Sequence, residues 1–224
     1  MKTESMDFDS FKELAGSWFP GISAQAWERF KALEALYTDW NSRINVISRK
    51  DIDSLYDHHV LHSLAVAAYL LEREPEVYDS WIEGGLKVLD LGTGGGFPGI
   101  PLAILFPKVS FTLCDSVGKK TIVASAVAEA LGLGNVTVVN ARAETLPGPF
   151  DHIVSRAVAS LSDFYPWVRG RYRGSILYLR GGDIAEETGL LMSRFRLRDV
   201  SAWPVSSWLP DSYFAGKYLV RIGR

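Results

Sequence analysis

The chain has 224 residues, 47% apolar and 22% charged, with a formal net charge of −2. That length holds one domain or a domain with a small extension, and the composition can bury a core and excludes a disordered chain. A single cysteine, Cys114, excludes an internal disulfide, and the near-neutral charge argues against a generic nucleic-acid coat.

The opening stretch, MKTESMDFDS, lacks the apolar segment of a signal peptide, and no apolar run reaches the ~20 residues that cross a bilayer. The expectation is a soluble, cytoplasmic protein. "AQAWERFKALEALYTDW" spaces Trp27, Phe30, Leu33, Leu36, Tyr37 and Trp40 by threes and fours, which predicts an amphipathic helix with Ser23 as N-cap. "SLYDHHVLHSLAVAAYLLERE" predicts a second, with Leu61, Leu64, Ala65, Ala68 and Leu71 on one face and Pro75 as its end. His58 and His62 have the i, i+4 spacing of a metal pair, but His59 stands where H-E-x-x-H needs glutamate, so no metal is expected. Packing, or a hydrogen bond from His59 to the rest of the chain, is the plainer role. Residues 1–85 thus read as an N-terminal helical extension and 86–224 as the main domain.

From Lys87 the pattern alternates: "KVLDL", helix "GIPLAILF", "VSFTLCD", helix "KKTIVASAVAEALGL", "VTVVNA", "HIVSRA", a helix near "SLSDFYPWV", "SILYLR" and helix "AEETGLLMSRF". Such alternation predicts an α/β fold with a parallel sheet covered on both faces. "LRDVSAW" and "KYLVRIG" then predict an antiparallel hairpin at the sheet edge, for seven strands in all. Residues 151–224 carry 11 Lys+Arg against 7 Asp+Glu, whereas residues 1–150 carry 13 against 19. A solvated surface and an anionic partner both fit that bias.

The first strand ends in Gly92-Thr93-Gly94-Gly95-Gly96-Phe97-Pro98-Gly99. Glycines let the chain bend sharply and let a ligand approach with no Cβ in the way. Read from Gly94 the turn fits G-x-G-x-x-G, the dinucleotide fingerprint; read from Gly92 it fits G-x-G-x-G after an acid, Asp90. A pyrophosphate needs free N–H groups, whereas the cationic methionine part of S-adenosylmethionine suits an acid beside the turn. Asp115 ends the second strand, where an acid accepts the ribose hydroxyls of either cofactor or else caps the next helix. Seven strands with a terminal hairpin favour a methyltransferase sheet over an NAD fold. An NAD-binding protein and a methyltransferase of small molecules or proteins stay as alternatives.

In sequence order, "LYTDWNSRINVIS", "HHVLHSL", "DLGTGGGFPGIPL", "FTLCDSVGKK", "ARAE", "SRAVAS" and "YLRGG" resemble the bacterial small-subunit (16S) ribosomal RNA guanine-N7 methyltransferases, the RsmG or GidB family (glucose-inhibited division protein B). The resemblance covers about residues 27–182. Gly94-Gly95-Gly96 replaces the family's Gly-Pro-Gly, His62 stands where the family has an acid, and Arg180 stands where it has lysine. The implied fold is a Rossmann-like class I S-adenosylmethionine-dependent methyltransferase. The implied substrate is 16S ribosomal RNA or the small ribosomal subunit, with a monomer acting away from membranes.

The resemblance places Gly92 and Phe97 in the cofactor pocket, with Asp90, Gly94, Gly96 and Asp115 beside them. Ala143 and Glu144 would bound the adenine. Arg156, at the carboxyl end of a central strand, would contact cofactor or substrate as a positioning group. Guanine N7 carries a free lone pair, so alignment and exclusion of water suffice and no dedicated base is expected. No N-P-P-[YF] follows the fourth strand, and Cys114 within the second strand reads as core. Lys119, Lys120, Arg169, Arg171, Arg173 and Arg180, with Arg156, are the candidates for RNA phosphates. Tyr165 and Trp167 fit either base stacking or the core.

Overall fold

Asp7 accepts from Ser10 N–H at 2.8 Å and starts α1 (Phe8–Trp18); Ser23 accepts from Ala26 N–H at 3.1 Å and starts α2 (Ala24–Arg43). The computed structural model describes residues 5–224, so the first four residues of the opening stretch lie outside the described residues. The single helix expected across residues 54–74 is instead two pieces. Leu55–Leu61 forms a wide π-helical turn, and α3 (His62–Arg73) follows it. Pro75 does more than end that helix. It opens α4 (Pro75–Glu83), because proline at the first helical position gives up an N–H that has no partner there anyway. Sequence periodicity missed α1 and α4, which are short and bury only two residues and one residue respectively.

The rest is β1 (Lys87–Leu91), α5 (Gly99–Leu105), β2 (Ser110–Asp115), α6 (Gly118–Ala130), β3 (Val136–Asn140), β4 (His152–Arg156), α7 (Leu161–Val168), β5 (Ser175–Gly181), α8 (Ile184–Phe195), β6 (Val200–Pro204) and β7 (Lys217–Gly223). The sheet order is β3-β2-β1-β4-β5-β7-β6. The first five strands are parallel, and β7 runs antiparallel between β5 and β6. The expected hairpin is therefore present, with its second strand on the inside. "KYLVRIG" has the apolar residues to fill an interior place, whereas β6 is largely exposed and ends in a proline that suits an edge.

One core joins the helical N-terminal segment to the sheet: Phe11, Phe30, Leu33, Tyr37 and Leu64 pack with Ile100, Leu102, Val154 and Leu177. The opposite face packs Leu89, Ile153 and Tyr178 against Leu161, Phe164 and Leu191. From β1 the chain winds outward to β2 and β3, then returns to β4 on β1's other side. The connections leaving β1 and β4 diverge there, and open α/β sheets form their ligand crevice at that reversal.

Candidate functional site

Gly92, Gly94 and Gly96 have φ of 72°, 56° and 112°, values that other residues adopt only under strain. The turn consumes its own donors. Cys114 O accepts from Gly92 and Thr93 N–H at 2.7 and 3.0 Å, and Thr93 O accepts from Gly96 and Phe97 N–H at 2.9 Å. Gly96 O accepts from Ile100 N–H at 2.7 Å. The two acids take two more: Asp115 Oδ2 accepts from Gly94 N–H at 2.9 Å and Asp90 Oδ2 from Gly99 N–H at 2.7 Å. Among the described residues, Gly95 is the one donor between Gly92 and Ile100 left without an acceptor, and Val46 lies over it. A pyrophosphate would find no cradle of open N–H groups here.

Asp90 is fully buried beneath the turn rather than on the crevice wall. Its Oδ2 also accepts from Thr93 Oγ1 at 2.6 Å, and its Oδ1 has no partner among the described residues. Burial pushes its carboxyl up to about 7, against the hydrogen bonds from Thr93 and Gly99. Asp115 lines the crevice and braces both of its neighbours, because Oδ1 accepts from Val117 N–H at 2.8 Å where α6 begins. The helix-start contact and the crevice-facing position therefore coexist.

The crevice has a volume of about 620 Å³ between Leu91, Gly92 and Asp115 on one side and Arg156, Val158 and Trp167 on the other. Ala143 and Glu144 close one end, the first buried and the second exposed. Arg171 fixes that end by donating to the carbonyls of Glu144 and Leu146, each at 2.7 Å. Ala157, next to Arg156, has φ of 49°, a left-handed conformation held at the crevice edge. Gly94 faces open space: a Cβ built on it meets nothing within 4 Å. A slot with an apolar wall, an acid at its mouth, a buried carboxylate beneath its turn and few free N–H groups fits a cationic nucleoside such as S-adenosylmethionine.

Arg156 ends β4 and lines the crevice. Its guanidinium lies 5.2 Å from the Phe97 ring centroid, and Phe97 packs 4.7 Å from Tyr37. Phe97 thus supports Arg156 from below and is itself buried. Nη2 of Arg156 also reaches His59 Nδ1 at 3.2 Å, and Asp51 carboxylate oxygens meet His58 Nδ1 at 2.5 Å and His59 Nε2 at 2.8 Å. Sequence reading missed Asp51, Tyr37, Val46, Tyr213 and Lys217. Asp51 lies eight residues before His59, a spacing that no helical or strand period singles out.

The six outlying cations do not form one rim. Lys120 lines the crevice and Lys119 and Arg169 are exposed without an ion pair among the described residues. Arg171 is a scaffold residue. Arg173 pairs with Asp151 at 3.2 Å at the amino end of β4, opposite the crevice. Arg180 is spent on Glu187 at 2.7 Å. Tyr165 is buried against Phe195 and belongs to the core, whereas Trp167 stands on the crevice wall. His62 is buried against Phe214. Cys114 is buried, and burial pushes its thiol up to about 11, far from a reactive thiolate.

A family model described as rRNA small subunit methyltransferase G (GidB) matches residues 26–205. The chain is 48% identical over 217 residues to the ribosomal RNA small subunit methyltransferase G of Porphyromonas gingivalis, covering 93% of this chain and 91% of that one. It is 46% identical over 215 residues to the Flavobacterium psychrophilum protein of the same name, covering 91% and 94%. Two solved structures share the fold. One is a magnesium protoporphyrin IX methyltransferase from Synechocystis PCC 6803 with bound S-adenosylmethionine (TM-score 0.59, 17% identity, 100% of each chain). The other is a ribosomal protein L11 methylase from Lactobacillus delbrueckii subsp. bulgaricus (TM-score 0.54, 18% identity, 71% and 76%).

Proposed function

The chain belongs to the rRNA small subunit methyltransferase G (GidB) family, and we propose that it methylates N7 of one guanine in 16S ribosomal RNA. The observation that carries the cofactor half of this reading is the saturated turn. All its donors but Gly95 N–H are already bonded to Asp90, Asp115 and neighbouring carbonyls, so the crevice favours a cation over a phosphate. S-adenosylmethionine, when bound, supplies a methyl group activated by a positive sulfonium.

The residues divide the work. Gly94 leaves open space for the ligand, Gly92 makes room for Val158 and Gly96 for Ile100 and Tyr37, while Asp115 accepts hydroxyl donors at the crevice mouth. Ala143, Glu144 and Trp167 bound the adenine end. Asp90 holds the turn to α5 from beneath the crevice, through its bonds to Thr93 and Gly99. Phe97 reaches the crevice only through Arg156, which it supports. Arg156 orients the incoming base, whose lone pair needs no proton removed, so the site works by alignment and exclusion of water. Lys119, Lys120 and Arg169 keep their charges for RNA phosphates, which position the strand without reading its sequence. The helical segment 1–85 acts with domain 86–224 as one working unit. A monomer in the cytoplasm agrees with this reading, and no described helix is long and apolar enough to cross a membrane.

The test is labelled methyl transfer to unmodified small subunits and to protein-free 16S RNA, followed by nucleoside mass spectrometry. Label in a single 7-methylguanosine is the expected result. Label in another nucleoside, or in protein alone, would refute the reading.

A further inference from the structure

A guanidinium only donates, so whatever holds Arg156 must accept. His59 Nδ1, 3.2 Å from Arg156 Nη2, accepts only if its ring is neutral with the proton on Nε2. That Nε2–H has an acceptor, Asp51 Oδ2, at 2.8 Å. Burial first, then the Arg156 charge, lowers the His59 pKa to about 4, which keeps the ring neutral at pH 7. Asp51 is itself fixed from a second direction, because its Oδ1 lies 2.5 Å from His58 Nδ1. His58 in turn stacks on Tyr213 with centroids 3.4 Å apart, and Lys217 Nζ lies 2.6 Å from the Tyr213 ring centroid.

These groups come from three places. Asp51, His58 and His59 precede the sheet, Arg156 ends β4, and Tyr213 and Lys217 close the β6–β7 connection. His58 and His59 sit in the π-helical turn Leu55–Leu61. A wider turn rotates each successive residue by a smaller angle, so two adjacent rings can address one carboxylate. Such turns are frequent at functional sites.

We propose that Asp51 and His59 are positioning residues for methyl transfer: Asp51 sets the tautomer and plane of His59, and His59 holds the Arg156 guanidinium in the crevice. The helical N-terminal segment thereby completes a site whose crevice-lining residues all fall between Leu91 and Trp167. This rests on the reading that Arg156 orients the base.

The test uses the full chain and unmodified small subunits, with His59→Phe, His59→Asn, Asp51→Ala and Arg156→Ala. His59→Phe and Asp51→Ala should each lower kcat by about 10- to 100-fold, the scale of a misplaced catalytic group, with the KM for S-adenosylmethionine little changed. His59→Asn, which keeps an acceptor at the δ position, should recover most of the loss. In an Arg156→Ala background His59→Phe should cost nothing further. Equal losses in both backgrounds would make His59 merely structural and overturn the proposal. Full turnover by Arg156→Ala would overturn the underlying reading, and the proposal with it. Nitrogen-15 NMR of the unmutated protein tests the same point without relying on a variant. A neutral His59 ring protonated at Nε2 is expected, and a charged ring or an Nδ1–H tautomer would sink the relay.

Discussion

Asp90 is the residue whose chemistry most depends on its surroundings. An ordinary aspartate titrates near 3.8, and here burial raises the carboxyl to about 7. The folded state therefore holds that proton more tightly than the unfolded chain. Asp90's contribution to stability is full below about pH 4 and is lost as pH rises through 7. Asp90→Asn cannot ionise, so relative to the native chain it should gain on moving from pH 5 to pH 8, by up to about 3 kcal/mol. Thermal melts of the ligand-free protein at the two pH values measure this, and an identical Tm difference at both would contradict it. The glycines make a paired test. A Cβ on Gly99 would sit 2.6 Å from Asp90 Oδ2 and 2.8 Å from Leu113 Cγ, so Gly99→Ala should cost roughly 1–3 kcal/mol by overpacking. Gly94→Ala meets no atom and bears only its positive φ, a cost of about 1 kcal/mol. Its larger effect should be on S-adenosylmethionine affinity, measured by calorimetry, because the added methyl group projects into open space at the turn.

Among the elements, the segment between α2 and the π-helical turn matters most for the site. Asn41 holds it: Oδ1 accepts from Val46 and Ile47 N–H, and Nδ2 donates to Ile47 O, all at 2.9 Å. That pinning lays Val46 over Gly95, and Tyr37 adds a bond from its hydroxyl to Gly95 O at 2.7 Å. Asn41→Ala should leave three backbone groups unpaired, the two of Ile47 buried and that of Val46 partly so. Denaturant unfolding should show a loss of about 1–3 kcal/mol for each that water cannot reach, and cofactor binding should weaken along with it. The sequence shows Asn41 in "WNSRIN" but not its partners, because a side chain that caps a loop leaves no periodic trace. The strands were easier to read, since central parallel strands are apolar almost throughout. Helix α4 was hidden because Pro75 looks the same whether it ends one helix or starts the next.

Across the whole molecule, the helices before residue 86 and the sheet after it share one core. Thermal unfolding should therefore be a single transition by far-UV circular dichroism and by tryptophan fluorescence, with coincident midpoints. Two separated transitions would argue for independent units. The charge layout bears on RNA. Lys120 on the crevice and exposed Lys119 and Arg169 have no ion pair among the described residues, whereas Arg173 and Arg180 are neutralised by Asp151 and Glu187. Lys120→Ala should weaken RNA binding and reduce the slope of log affinity against log salt by about 1, as expected for one lost phosphate contact. Arg173→Ala should leave that slope unchanged, and filter binding across a salt series distinguishes the two.

Local order settled much of this protein. The alternation of runs specified a seven-stranded α/β sheet, the glycines after "KVLDL" located the crevice, and the ordered motifs gave the family. Those features are local in the chain, since strand period, turn chemistry and cap residues act over a few positions. Only the tertiary structure decided which cofactor reading the turn allows, because Cys114 and Asp115, both distant in sequence, take the N–H groups of Gly92, Thr93 and Gly94. Likewise, contacts across long separations tied Asp51 and His59 to Arg156, sent Arg173 to the far end of the sheet and put β7 inside β6. Such pairings depend on where the chain returns in space, and no window of sequence records that.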